Sequence, residues 1–326
     1  MLRTEEINGA GGIRGRPIEL IVKDAEQFKD DPRKSIDELI QAGVIAIIGP
    51  VTSSTAIKVV PYANTKRLLM VSPSASTPAL SNQDDFLFRT TLTTTESADA
   101  TASYCYKKLG WRKIAGTFSA ENRVFTEPWF TAFKKRFEKF GGSVIPGEIL
   151  SENAKRAGVE RSLMKGAPDG ILIVSHALEV AKICQELRKL GSRYPIATSG
   201  IAYTPELIQH GGEVVEGIVF AVTFVEDEVF PGLQDFRTRY LKRYQKSPVL
   251  PDVYGYEAAT ILTEALKHSQ EWTPEILKRT ILTIKRFESP ISPGGLVLNE
   301  YADVERNLIF MTVHNDKFVR IDDSIS

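Results

Sequence analysis

The sequence predicts an α/β protein of two lobes, and three observations carry that prediction. From about residue 18 to 224, short apolar strands alternate with amphipathic helices, the pattern of parallel βαβ units. After residue 224 the rhythm changes to three helices, Phe230 to Tyr244, Val253 to His268 and Pro274 to Ile284. A helical return after two sets of βαβ units implies multiple chain crossings between lobes, where two domains in tandem would not produce it. Finally, 326 residues, 42% of them hydrophobic, are enough for two cores.

The elements follow in order. Leu2 to Ile7 reads as the end of a helix, stopped by Asn8-Gly9-Ala10-Gly11-Gly12. Ile18 to Val22 is a strand, and Pro32 to Gln41 a helix with Ile36, Leu39 and Ile40 on one face. Val44 to Ile48 and Leu68 to Val71 are apolar strands, the first read as buried on both faces. Phe86 to Arg89 is a short strand running into the extended, threonine-rich Thr90 to Thr95. Helices at Ser97 to Leu109, Pro128 to Phe140, Gly158 to Lys165, His176 to Leu190 and Pro205 to Gln209 alternate with strands. Those strands are Ile114 to Phe118, Val144 to Leu150, Gly170 to Val174, Ile196 to Thr198 and Ile218 to Phe224. Leu296 to Leu298, Leu308 to Val313 and Phe318 to Ile321 close the chain as strands, with a hairpin-like turn at Asn315-Asp316.

The chemistry concentrates between Val44 and Ser81. The first apolar strand ends at Gly49-Pro50 and is followed by Thr52, Ser53, Ser54 and Thr55 ahead of the amphipathic run Ala56 to Ala63. Ser53 or Ser54 is expected to cap that helix, whose free N–H groups and positive dipole end favour an anion. The second strand is followed by Ser72-Pro73-Ser74-Ala75-Ser76-Thr77-Pro78. Adjacent parallel strands would deliver both turns to one carboxyl edge, where open α/β sheets bind ligands. A single turn of this kind is ordinarily a cap, but the second has far more hydroxyls than capping requires.

Composition excludes several classes. Zero formal net charge, from 41 basic and 41 acidic side chains, argues against a nucleic-acid surface. No apolar run approaches the roughly 20 residues that span a bilayer, and Met1 to Glu6 shows no signal peptide. Cys105 and Cys184 read as buried free thiols. One glycine and then proline at Gly49-Pro50 fails the dinucleotide fingerprint, and neither a phosphate loop nor a Gly-x-Ser-x-Gly elbow occurs. His176, His210, His268 and His314 are far apart, without metal spacing. Serine-rich turns without a partnered base read as binding groups, not nucleophiles.

Five words in order, EEINGAGGIRGRPIELIVKDAE, VIAIIGPVTSSTA, LLMVSPSASTPALS, FLFRTT and DVYGYEAA, resemble the type I periplasmic binding proteins of the leucine/isoleucine/valine-binding branch. The resemblance runs from about residue 4 to the end. It implies two Rossmann-like three-layer α/β/α lobes with three hinge crossovers, near Leu92, Val225 and Tyr301, closing on a small molecule. The first lobe would comprise residues 1–91 and 225–300, the second 92–224 and 301–326. Family members begin with a further strand, central in the first lobe, that this chain lacks. Its loss would strand backbone groups at about 1–3 kcal/mol each, so a misplaced start or a truncation is expected.

By the same resemblance, a ligand carboxylate would be held by Ser53 and Ser54 from the first turn and Ser74, Ala75 and Ser76 from the second. Neutral donors of this kind stabilise a carboxylate without a cation. From the second lobe the matching positions are Phe125, His176 and Gly200, with Tyr203 and Tyr254 as further aromatic candidates. His176 also reads as a cap, and Phe125 and Tyr254 as core. The family's acid for a ligand ammonium falls on Gly200. A desolvated ammonium without a countercharge costs several kcal/mol. Either Glu121, Glu179 or Glu226 replaces that acid, or the ligand is an amine-free carboxylate.

The implied protein is a non-enzymatic, monomeric, periplasmic or extracytoplasmic solute-binding protein of an ABC importer. It would need no cofactor and meet a small carboxylate and a membrane permease. A receptor ligand domain or cytoplasmic small-amide sensor is the alternative, and an α/β enzyme a more distant one.

Overall fold

Gly11, Gly43, Gly110, Gly141 and Gly191 all adopt positive φ, each just beyond the end of a helix, and divide the chain into short elements. A computed structural model describes residues 1–24, 31–150, 156–223, 231–292 and 294–321. The chain forms two compact units, Met1–Leu92 with Glu226–Arg306, and Thr93–Val225 with Asn307–Ser326. Val225 and Glu226, expected as a crossover and a candidate acid, lie outside the described residues.

The first unit opens with α1 (Leu2–Gly9), α2 (Arg33–Gln41), β1 (Ala46–Ile48), α3 (Ser53–Thr65), β2 (Leu69–Ser72) and β3 (Leu87–Arg89). β1, β2 and β3 form a parallel sheet in that order, with Ile47 opposite Met70 and Val71 opposite Phe88. Ala56, Val59, Val60 and Ala63 recur at helical spacing on α3 and pack with Leu68, Met70, Leu80 and Leu87. This core aligns the carboxyl ends of β1 and β2.

Two expectations for this unit need correction. Ile18 to Val22 forms no strand or ladder among the described residues, and Val22 is 79% exposed. β1 is not buried on both faces, for Ile45 and Ile48 are each 40% exposed. The cause is shared. A cavity of about 1150 Å³ is lined both by Ile18–Asp24 and by Val44–Thr52. β1 is therefore a sheet edge, and a strand facing a cavity finds no ladder partner.

The second unit contains α4 (Thr94–Lys107), β4 (Lys113–Phe118), α5 (Arg123–Lys139), β5 (Ser143–Pro146), α6 (Arg156–Leu163) and β6 (Gly170–Val174). It continues with α7 (Ala177–Lys189), β7 (Ile196–Thr198), α8 (Pro205–Gly211) and β8 (Val219–Val222). α4 starts earlier than expected because Thr93 and Glu96 form a capping box, which ends the extended threonine run. α5 also starts early and carries Pro128 inside it, since the Phe125 and Thr126 N–H groups close a turn on the Asn122 carbonyl.

The chain then returns to the first unit with α9 (Pro231–Tyr244), α10 (Leu250–His268) and α11 (Pro274–Ile284). β9 (Arg286–Phe287), β10 (Leu296–Leu298) and β11 (Val304–Glu305) form a small antiparallel sheet there, while α10 packs on β1 and β2. β12 (Ile309–His314) and β13 (Lys317–Arg320) complete the second unit's sheet, ordered β13-β12-β8-β7-β6-β4-β5. Their hairpin turns at Asn315 and Asp316, both at positive φ.

Cys105 and Cys184 are buried free thiols, and burial pushes Cys184 up to about 12. Among the described residues, no helix is long and apolar enough to cross a membrane. None of their acidic, histidine and cysteine side chains cluster as a metal site.

Candidate functional site

β1 and β2 run parallel, so the turns after them lie side by side at one sheet edge. Gly49 leaves β1 with φ 142°, where glycine is favoured. Thr52, not Ser53 or Ser54, caps α3: its Oγ1 accepts the Thr55 N–H at 3.2 Å. A cap needs extended backbone, and Thr52 is the last extended residue, at φ −96° and ψ 148°. Ser53 is thereby the first residue of α3, and it is buried. The N–H groups of Ser53 and Ser54 have no partner among the described residues and carry the partial positive charge of a helix start.

The second turn is stitched to the first. Ser72 Oγ donates to the Pro50 carbonyl at 2.6 Å and accepts from the Ala75 N–H at 3.0 Å. Ser74 Oγ donates to the Val51 carbonyl at 2.6 Å, so its proton is committed to protein and it bridges the two turns. Ser76 is buried, and its hydroxyl has no protein partner among the described residues. Thr52 Oγ1 donates to Thr55 Oγ1 at 2.9 Å, so Ser54 Oγ is the donor in its 3.1 Å bond to Thr52 Oγ1. The hydroxyls of Ser53 and Ser76 and the N–H groups of Ser53 and Ser54 remain as donors, and Ala75 between Ser74 and Ser76 is fully buried. Thr90 Oγ1 lies 3.3 Å from both the Pro73 and Tyr254 carbonyls, which brings Tyr254 close behind the second turn. The Tyr254 ring is buried, and its centroid lies 5.0 Å from the Arg306 guanidinium carbon.

In the second unit, Ser119, Ser175 and Ser199 follow β4, β6 and β7 directly and are all buried. Ser199 Oγ is buried without a hydrogen-bond partner among the described residues, and Ser175 Oγ bonds the Glu179 carboxylate. His176 is exposed and caps α7 only through its backbone, whose carbonyl accepts from the Glu179 and Val180 N–H groups. Phe125 is half-buried on the core built around Trp129 and Phe133. Tyr203 is core: its ring centroid lies 4.7 Å from that of Phe318 and 5.6 Å from that of Phe220. Of the remaining acids, Glu121 is exposed beside the end of β4 and Glu179 is held by Ser175.

Gly200 is glycine for a packing reason, since a Cβ there would lie 2.6 Å from the Ala221 carbonyl oxygen. Gly200→Asp is expected to destabilise the protein by about 1–3 kcal/mol through overpacking, without tightening the binding of any amino acid. Thermal unfolding and calorimetry check this; a stable variant with improved amino-acid affinity would show that β8 can yield.

The structure thus groups Ser53, Ser54, Ser74, Ala75, Ser76 and Tyr254 in the first unit, and Phe125, His176, Gly200 and Tyr203 in the second. Sequence reasoning missed Thr52, Ser72 and Thr90. The available signal was position: each lies at the end of a strand or one residue before the helix.

The periplasmic binding protein family profile matches residues 1–317. The leucine-, isoleucine-, valine-, threonine- and alanine-binding protein of Pseudomonas aeruginosa is 23% identical over 320 residues, covering 94% of this chain and 81% of that protein. A 24% identical match to Glutamate receptor 2.2 of Arabidopsis thaliana covers 72% of this chain but only 26% of the receptor's length. Among solved structures, a leucine binding protein from Thermotoga maritima superposes with a TM-score of 0.88 at 24% identity, covering 98% of this chain and 92% of that one. A solute binding protein from R. palustris in complex with benzoate superposes at 0.83 with 20% identity, covering 98% and 88%.

Proposed function

The chain belongs to the periplasmic binding protein family, and from that premise we propose that it is the solute-binding component of an ABC importer for a small carboxylate-bearing molecule. The observation that carries this reading is the pair of stitched turns. They present Ser53, Ser54 and Ser76 with the start of α3, a set of neutral donors aimed from one sheet edge. The relatives fit the same chemistry, since one is named for aliphatic amino acids and another was solved with benzoate.

Within that class, an amine-free acid with an apolar or aromatic body is favoured. Gly200 packs against the Ala221 carbonyl and leaves no room for a carboxylate, while Glu179 is engaged by Ser175. An amino acid is the second reading, supported by Glu121, which is exposed near the carboxyl end of β4.

A thermal-shift panel of hydrophobic amino acids, matched amine-free acids, aromatic acids and short amides tests this. A panel member at 100 times its dissociation constant is expected to add about 2.7 kcal/mol of stability. A response to amine-free acids supports the favoured reading, and one confined to amino acids selects the second. No response to any carboxylate, or a response to amides alone, would overturn the carboxylate reading.

A further inference from the structure

We propose that Arg89 is the positioning residue of the ligand-receiving turn, with Asp303 as its counter-ion. The proposal rests on the reading of Ser76 as a ligand donor. Arg89 is the last residue of β3, and 1% of it is exposed. Its guanidinium reaches both sides of Ser76: Nη1 donates to the Thr77 carbonyl at 2.7 Å and approaches the Ala75 carbonyl at 3.4 Å. Nη2 donates to Ser81 Oγ at 2.6 Å, and Nε donates to Asp303 Oδ1 at 2.7 Å. Asp303 also lies 2.5 Å from Nη2, which neutralises the buried cation. The backbone joins in, with the Arg89 N–H donating to the Ala302 carbonyl at 3.1 Å.

Four side-chain hydrogen bonds and the ion pair with Asp303 engage all three nitrogens of the guanidinium. Arg89 has none left for a ligand, so it acts through the turn. Peptide planarity shows how. The Ala75 carbonyl and the Ser76 N–H belong to one plane and point in opposite directions. Drawing the carbonyl towards Arg89 fixes that plane, and with it both the direction of the Ser76 N–H and the placement of the Ser76 Cα and its hydroxyl-bearing side chain, the group that Ser76→Ala removes. Nη1 holds the carbonyls on either side of Ser76, and the planar fork lets Nη2 and Nε hold Ser81 and Asp303 at the same time; a lysine ammonium offers only a point charge and cannot reach all of these positions.

The test combines a double-mutant cycle with hydrogen exchange. Titrations with L-leucine and with benzoate are run on wild type, Ser76→Ala, Arg89→Met, Arg89→Lys and Arg89→Met/Ser76→Ala. For whichever acid binds, Ser76→Ala alone is expected to weaken binding about tenfold, and Arg89→Met at least as much. In the Arg89→Met background Ser76→Ala should cost less than about twofold, because a donor already misaligned has nothing more to lose. Arg89→Lys should behave like Arg89→Met. A full tenfold loss from Ser76→Ala in the Arg89→Met background, or rescue by lysine, would overturn the positioning role.

A Ser76→Ala variant that binds like wild type would instead refute the reading of the site. Exchange of the Ala75 amide in the ligand-free protein tests Arg89 independently of any ligand. It should accelerate at least tenfold in Arg89→Met while the β2 amides keep their protection; unchanged exchange there would overturn the proposal. If Arg89→Met fails to fold, Arg89→Lys and Asp303→Asn are read by the same exchange criterion.

Discussion

Glu257→Ala is expected to cost about 3–5 kcal/mol of stability, because it strands a buried arginine. Glu257 lies on α10, and its side chain and that of Arg306 are 0% and 2% exposed. One carboxylate oxygen meets Arg306 and the other accepts from Ser289 Oγ. Arg306 also donates to the Thr90 carbonyl, from Nε at 3.0 Å and Nη2 at 2.7 Å. Burial opposes the Arg306 charge, and Glu257 together with Tyr254 more than offsets that opposition. Without Glu257 the guanidinium keeps its desolvation cost and loses its countercharge. The paired replacement Glu257→Leu with Arg306→Met removes both charges and should recover most of the loss. Denaturant unfolding of wild type and the two variants decides the matter. A Glu257→Ala protein within about 1 kcal/mol of wild type would mean that water reaches Arg306.

Trp129→Ala should cost a similar amount, about 3–5 kcal/mol, in the second unit. Trp129 on α5 is 1% exposed and stacks on Phe133 at 5.7 Å, which in turn stacks on Phe137 at 5.7 Å. Its Nε1 donates to Ser97 Oγ at 2.8 Å, tying α5 to α4. Truncation therefore opens a large apolar cavity and breaks the link between the two helices. Trp129→Phe separates these effects: it keeps most of the apolar contact and gives up the hydrogen bond, at about 1 kcal/mol. Hydrogen exchange should place the loss of protection in α4, α5 and β4. A loss spread evenly over both units would show that they unfold as one cooperative body.

Much of the architecture was legible along the chain because its signals are local. The order of most strands and helices, the glycine stops and the Asn315-Asp316 hairpin depend on neighbours a few residues away, and apart from the expected strand at Ile18 to Val22 and the short, unforeseen β9 and β11 they appear where periodicity and turn chemistry predict them. The family was legible for a related reason, since the words that carry the resemblance keep their order and spacing. Where local signals competed, reasoning from sequence slipped. Thr52 took the cap expected of Ser53 or Ser54, and α4 and α5 both began several residues early, because backbone conformation decides between adjacent capping residues.

The site was half legible. Two hydroxyl-rich turns after adjacent strands could be read from the sequence as one sheet edge. That Ser74 spends its proton on Val51, that Tyr203 belongs to an aromatic core and that Gly200 meets the Ala221 carbonyl could not. The sequence by itself determined the α/β class, the order of the elements and the neutral, hydroxyl-based chemistry of the first unit. Only tertiary structure decided which hydroxyls remain available and what holds them. Arg89 meets Asp303 across 214 residues and Thr90 meets Tyr254 across 164. Pairings at that separation arise from burial and sheet packing, and a pattern of period two or 3.6 does not encode them.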